Sequence, residues 1–541
     1  MLFHEAVARA MTDHGITTVF GLMGDANLYL TDAFVRLHGG VFISTSNEAG
    51  AVLAAHGYAQ ATGRLGVATV THGPALTNTV TALVEAARER TPLLLLAGDT
   101  AAADRDNFQN IAQRDVVIPT GAGFEQVRTP DTIGEDLATA VRRAVTELRP
   151  IVLNIPVDFQ WQEIDYRPQA GPRWVAPAPL APTGDALDEA AGIIASAKRP
   201  VILAGRGAQE PEAKEALIRL AQRVGAPLAT TFRARDLFRG EPHDLGICGT
   251  LSHEIALETI LAADCIVAFG ASLNKWTTAQ GSMLEGRAVV QVDSERAALG
   301  RFQAVEAAVH GDAGVVADAL VTMLDEAEVK PTGFASPGLA ERLTKRSDAD
   351  FVDQSTEHSV DHRSAILRLE AAFPAEKTLV FDGGRFIMQC LHMFHVRHPK
   401  DYVHTINFGS IGLGMGHAIG AAQGSGKPTL LVTGDGGFML GGLAEFNTAV
   451  RHGLDLVVVV FNDGAYGAEH IQMRRKQMDP VRTTFDWPEF AAVADSLGGK
   501  GYTARNLAEL DVALEELPRR NRPVLIDVKL DPDRVAVPDF Y

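Results

Sequence analysis

The feature that most constrains the fold is a repeated alternation of short apolar runs with longer helical stretches. Val41–Ser46, Gly66–Thr71 and Leu93–Ala97 read as strands, with helix patterns between them at Ala49–Ala61 and Thr77–Arg88. Runs of about five apolar residues without strict alternation suit strands buried on both faces of a parallel sheet. The same grammar returns at Thr378–Phe381, Thr429–Thr433, Leu456–Phe461 and Val524–Val528, with helix patterns at Leu413–Gln423 and Leu443–His452. A middle block carries its own strands at Val201–Ala204, Cys265–Phe269 and Val289–Val292. The chain therefore reads as α/β, with three doubly wound parallel-sheet domains.

Two stretches read as linkers, the Pro-rich Tyr166–Thr183 and the mixed Glu328–Val360. They suggest domains at 1–165, 183–328 and 360–541. RPIVLNIPVD closes the first block and RPVLIDVKLD the last, which leaves an internal duplication open. Asp and Glu number 67 against 49 Lys and Arg, a formal charge of −18. An acidic surface of this kind repels phosphate backbones, so no nucleic-acid partner is expected. Three scattered cysteines make neither a disulfide framework nor a Cys-rich metal site, and point to a reducing, cytoplasmic compartment. The opening MLFHEAVARAMTDHG reads as an amphipathic helix rather than a signal peptide, and no apolar run approaches the roughly 20 residues of a membrane span.

The chemistry concentrates in Thr433–Gly467, TGDGGFMLGGLAEFNTAVRHGLDLVVVVFNDGAYG. One apolar strand ends at Gly434-Asp435-Gly436, a helix follows, and a second strand ends at Asn462-Asp463. Ligands of parallel sheets bind at carboxyl ends of strands. Glycines such as Gly436 and Gly437 let a ligand approach the backbone. Oxygen ligands without thiolates suit Mg²⁺ or Ca²⁺, and a Mg²⁺ with few protein ligands usually also holds a phosphate. The residues alone thus suggest a metal–diphosphate site. Two unrelated polar turns would look the same.

The spacing narrows this. GDG followed after 25 residues (437–461) by Asn-Asp resembles the signature of thiamine diphosphate-dependent enzymes, in which Asn-Asn stands in that place. Matching on Tyr466-Gly467 makes Asp463 the side-chain metal ligand and Ala465 the carbonyl ligand, and we prefer it. Counting from Asp435 would instead favour Asn462 and the Gly464 carbonyl. The resemblance runs over nearly the whole chain, towards acetolactate synthases, pyruvate oxidases, and benzoylformate and pyruvate decarboxylases. TSNEAGAVLAAHGYAQATGR carries Glu48 where the family has a glutamate that shares its proton with the cofactor's pyrimidine N1′. A buried glutamate with a raised pKa would suit that role. THGPALTN, ending at Asn78, resembles the Thr-x-Gly-Pro-Gly-x-x-Asn turn, with Ala75 where Gly is usual. Ile411, in Asn407-Phe408-Gly409-Ser410-Ile411-Gly412, takes the position of the apolar prop that bends the cofactor.

The resemblance implies thiamine diphosphate and Mg²⁺ as cofactors, a C2 ylid and an enamine intermediate, and a 2-keto acid or related dicarbonyl substrate. It also implies a site built between the first domain of one chain and the third of another, hence at least a homodimer and more fully a homotetramer. Five residues would steer the reaction, Glu48, Asp25, His72, Gln109 and Glu469. Phe108-Gln109 resembles the Phe-Gln pair of acetolactate synthases and pyruvate oxidases, which points to a lyase or carboligase. Asp25 and Glu469 resemble decarboxylase acids, which points to release of an aldehyde, although the decarboxylase His-His pair is missing. A non-catalytic relative keeping only the scaffold is the remaining alternative. For the central domain FAD or a CoA-type nucleotide comes into question, but no flavin contact maps onto FGASLNKWTTAQG.

Overall fold

The computed structural model describes residues 1–104, 106–169 and 179–535. The first sheet takes β1 (Thr18–Gly21), β2 (Val41–Ser44), β3 (Gly66–Val70), β4 (Leu93–Asp99), β5 (Gly123–Gln126) and β6 (Pro150–Pro156), in the order β2-β1-β3-β4-β6-β5. The middle sheet takes β7 (Pro200–Ala204), β8 (Leu228–Thr230), β9 (Asp244–Ile247), β10 (Cys265–Phe269), β11 (Ala288–Asp293) and β12 (Ala307–His310), in the order β12-β11-β10-β7-β8-β9. The last takes β13 (Thr378–Phe381), β14 (Tyr402–Val403), β15 (Thr429–Gly434), β16 (Leu456–Asn462), β17 (Lys500–Ala504) and β18 (Val524–Lys529), in the order β14-β13-β15-β16-β18-β17. Neighbouring strands pair in parallel throughout, as the apolar runs required.

The first and last sheets share one strand order. RPIVLNIPVD and RPVLIDVKLD are β6 and β18, the same position in two copies of that topology. The middle sheet has the different order of a dinucleotide-binding fold. The chain divides into two compact units. One holds the first and last sheets (1–175, 351–396 and 401–541), and the other holds the middle sheet (176–350 with 397–400). Part of the Pro-rich stretch 166–183 lies outside the described residues. The stretch 328–360, which lacks periodicity in sequence, contains a helix at Pro337–Lys345. Ser336 caps it by accepting from the Leu339 amide, and Pro337 fills its first turn. Among the described residues no helix is long and apolar enough to cross a membrane. Cys248, Cys265 and Cys390 are free and buried.

What positions the candidate site is the packing of two small-residue helices within the larger unit. Glu48–Thr62 starts at Asn47, whose side chain accepts from the Ala49 amide, and stops at Gly63 in the left-handed region (φ 68°). Gly414–Ser425 follows the Ile411-Gly412 turn. The two touch through backbone. A Cβ on Gly57 would stand 2.1 Å from the His417 carbonyl oxygen, and one on Gly420 would stand 1.8 Å from the Ala54 oxygen. His56 Nδ1 and His417 Nε2 form a buried hydrogen bond of 2.9 Å across the contact.

This packing predicts that Gly420→Ala lowers stability by about 3 kcal/mol, the upper part of the usual cost of overpacking a core. Gly63→Ala, at a positive φ but with nothing within 4 Å of its Cβ, should cost about 1 kcal/mol. Thermal or denaturant unfolding of the two variants checks the ranking. An unchanged midpoint for Gly420→Ala would separate the helices.

Candidate cofactor and metal site

Strands β13, β15 and β16 are neighbours and end on one edge. Each delivers an aspartate there. Asp435 opens the turn after β15 and is buried. Its Oδ1 accepts from the Gly436 amide at 2.8 Å and its Oδ2 from the Trp487 indole at 2.8 Å. Asp463 follows β16. Its Oδ1 accepts from the Ala465 amide at 3.1 Å and its Oδ2 from Arg385 at 2.8 Å. Burial first, and the charge of Asp463 second, push the Asp435 carboxyl up to about 7. Asp463 is also raised by burial, against the pull of Arg385. A cation would relieve the repulsion between these two carboxylates.

Asn462 is placed differently. Its amide donates to Asp527 on β18 at 2.9 Å, and its oxygen caps the Gly464 amide at 3.1 Å. Of the two adjacent candidates, the structure turns Asp463 towards Asp435 and Asn462 towards the sheet. A Cβ on Gly436 would meet the Tyr466 ring at 2.8 Å, so a larger residue there would push that ring aside. Gly434 ends β15 and Gly437 closes the helical turn that Asp435 opens, while Ala465 and Tyr466 lie between β16 and the helix that Gly467 begins.

The third aspartate is Asp382, after β13. It accepts from Gly383 (2.8 Å), Gly412 (3.0 Å) and Thr433 Oγ1 (3.0 Å), and burial raises its carboxyl to about 6. It thereby ties the Ile411-Gly412 turn to the end of β15. Glu85, fully buried, holds the same loop from the other side by accepting from the Asn407 and Phe408 amides at 2.9 and 2.7 Å. Asp382, Glu85, Arg385 and Trp487 were missed because their partners lie far away in sequence. An Asp-Gly pair at a strand end was the available clue for Asp382.

The first domain gathers the other candidates. Asn78 Nδ2 donates to Glu48 Oε2 at 3.0 Å. Glu48 is half-buried in the single chain. The loop before it is clamped to the last domain, where buried Glu445 accepts from the Ser46 amide at 3.1 Å and Arg451 donates to the Ser44 carbonyl at 2.7 Å. Asp25 is exposed. It accepts from Thr71 Oγ1 at 2.9 Å and lies 3.7 Å from Nε2 of buried His72. The Gln109 carbonyl abuts Gly73, where a Cβ would be 2.2 Å away, while Phe108 is 94% exposed. Glu469 is exposed on the Gly467–Arg475 helix. That helix is strapped by the segment after β18, where Asp533 binds His470 (3.0 Å) and Arg474 (2.7 Å) and the Pro532 carbonyl accepts from Arg385. His470 and Arg474 are thus structural partners.

Three family models match this chain, all for thiamine pyrophosphate enzymes. The N-terminal TPP binding domain covers residues 1–117, the central domain 187–320 and the C-terminal TPP binding domain 382–528. The chain belongs to the thiamine pyrophosphate enzyme family. A "Probable acetolactate synthase large subunit" of Methanocaldococcus jannaschii is 28% identical over 98% of this chain and 92% of its own length. A sulfoacetaldehyde acetyltransferase of Rhodobacter capsulatus is 29% identical over 95% and 91%. A "Probable 2-ketoarginine decarboxylase AruI" of Pseudomonas aeruginosa is 27% identical over 94% and 90%. This is a thiamine diphosphate-dependent enzyme of the C–C bond lyase or transferase kind.

The residues fit the family's cofactor. Among the described residues no three His, Cys, Asp or Glu side chains converge as a metal cage. A cation held by Asp435 and Asp463 would complete its shell with backbone carbonyls and phosphate, the habit of Mg²⁺. In the middle domain, strand order reverses between β7 and β10, the usual dinucleotide crevice. There the Gly205 amide donates to Phe269 at 2.8 Å, and a Cβ on Gly270 would meet Gly207 Cα at 2.5 Å. The ends of β7 and β10 thus touch through backbone.

Asp435 gives a signed prediction. Its folded pKa lies above the unfolded value, so without a cation the buried charge destabilises the fold as pH rises from about 4 through about 7. Asp435→Asn should therefore raise the melting temperature of the cofactor-free protein at pH 8 by about 2 °C or more, and gain little at pH 5. The same variant should lose Mg²⁺-dependent cofactor binding in titration. Asp463→Asn should weaken that binding more than Asn462→Ala.

Proposed function

We propose that this enzyme is a thiamine diphosphate- and Mg²⁺-dependent lyase or carboligase acting on a 2-keto acid or related dicarbonyl, in the manner of an acetolactate synthase. The observation that carries this is the pair of half-sites, Glu48 bonded to Asn78 at one helix start and Asp435 beside Asp463 at adjacent strand ends. Bound thiamine diphosphate supplies a carbon nucleophile that adds to the keto carbon and accepts the electrons of the bond that breaks. The protein's part is to hold and charge it. Glu48 would exchange a proton at pyrimidine N1′, with Asn78 fixing its rotamer. Asp435 and Asp463 would carry the cation, and Ile411, anchored through Gly412 and Asp382, would support the bent cofactor.

Phe108-Gln109, which resembles the pair of the acetolactate synthases, favours transfer to a second carbonyl. A second reading, decarboxylation to an aldehyde, is supported by Asp25 and His72, an acid and an imidazole within 3.7 Å of each other that could deliver a proton. The substrate is a small molecule, with no nucleic-acid or membrane partner, in the cytoplasm. The two half-sites would be completed by a second copy of the chain, giving a homodimer at least and a homotetramer in full.

Product analysis with pyruvate as the probe tests the choice. A 2-hydroxyketone product dominating over acetaldehyde is expected, and acetaldehyde alone would establish the second reading. Glu48→Gln should lower kcat by about 10²–10⁴-fold, the usual worth of a general acid–base group, and leave cofactor affinity within a few-fold. Deuterium exchange at C2 of the bound cofactor at the wild-type rate would remove Glu48 from the proton path. A stable, fully active monomer in sedimentation would overturn the shared site.

A further inference from the structure

Arg385 is the one guanidinium that the described hydrogen bonds bring to the Asp463 carboxylate, and it is only partly satisfied. It is 3% exposed. Its Nη2 donates to Asp463 Oδ2 and to the Pro532 carbonyl, both at 2.8 Å. Its Nε and Nη1 are buried and have no hydrogen-bond partner among the described residues. Leaving buried N–H groups of a charged side chain unpaired is costly, and native proteins rarely do so without a ligand. The surroundings indicate which ligand. A Cβ on Gly467 would stand 3.0 Å from Arg385 Nε and 2.8 Å from Asp463 Oδ2, so the Gly467–Arg475 helix begins directly against this pair. A helix start directs free amides and positive potential at the same space. Guanidinium, helix start and a cation on Asp435 and Asp463 together favour a multiply charged oxyanion over a neutral substrate group.

We propose that Arg385 donates its Nε–H and Nη1–H to the diphosphate of the cofactor and shares with Mg²⁺ the neutralisation of that charge. A part of the cofactor's affinity is then independent of the metal. The assignment holds whichever carbonyl reaction the enzyme runs, because it is read without substrate.

The test is calorimetric titration of the cofactor-stripped full chain, with thiamine diphosphate in Mg²⁺ and with inorganic pyrophosphate in EDTA. Wild type should bind pyrophosphate measurably in EDTA. Arg385→Gln should weaken both ligands by about 10–100-fold, the usual worth of hydrogen bonds to charged groups. Unchanged affinities would make Arg385 a structural partner of Asp463 alone. Tighter thiamine diphosphate binding at limiting Mg²⁺ would make it a competitor of the metal, and either result overturns the proposal. If Arg385→Gln fails to fold by circular dichroism, Arg385→Lys decides. It keeps the charge without the fork, so a pyrophosphate loss of about threefold or more is expected, and wild-type affinity overturns the proposal.

Discussion

The contact on which the rest of the larger unit depends is backbone against backbone, where Gly57 meets His417 and Gly420 meets Ala54. Two helices can approach this closely only without side chains between them. One helix begins at Glu48, and the other follows the Ile411-Gly412 turn. A wider spacing would shift the starts of both helices, and with them Glu48 and that turn. The buried His56–His417 hydrogen bond adds direction to a contact that is otherwise only steric.

The strand ends supply the second ingredient, a concentration of negative charge that the fold alone does not neutralise. Asp382 is satisfied by three donors of the protein and serves as a brace. Asp435 and Asp463 have donors too, but the charge of Asp463 raises the Asp435 carboxyl further, where burial alone raises that of Asp382. The difference separates an aspartate that ties the loops together from one that faces a like charge. Similar residues on one sheet edge thus take different roles from their hydrogen-bond partners.

Much of this was legible in the sequence, for reasons that can be named. Strands such as β16 are buried along their whole length, so they appear as unbroken apolar runs. The turns at Asp435 and Asp463 were legible as candidates because their residues are local to two strand ends. Strands β5, β8, β9, β12, β14 and β17 were not, since they are short and all but β8 lie at a sheet edge, and the helix Pro337–Lys345 hides in a polar stretch with only Ser336-Pro337 to announce it. Arg385, Trp487 and Glu85 escaped because each acts on a residue more than 50 positions away, a distance at which no periodicity or spacing rule operates.

The strap formed by Pro532 and Asp533 has a mechanical consequence. It grips Arg385 on one side and His470 with Arg474 on the other, so a few residues beyond the last strand set the tension between the floor of the site and the helix that carries Glu469. Changes in this tether, none of them near a reacting atom, would travel to the mouth of the site as a lever transmits a small displacement at its short arm.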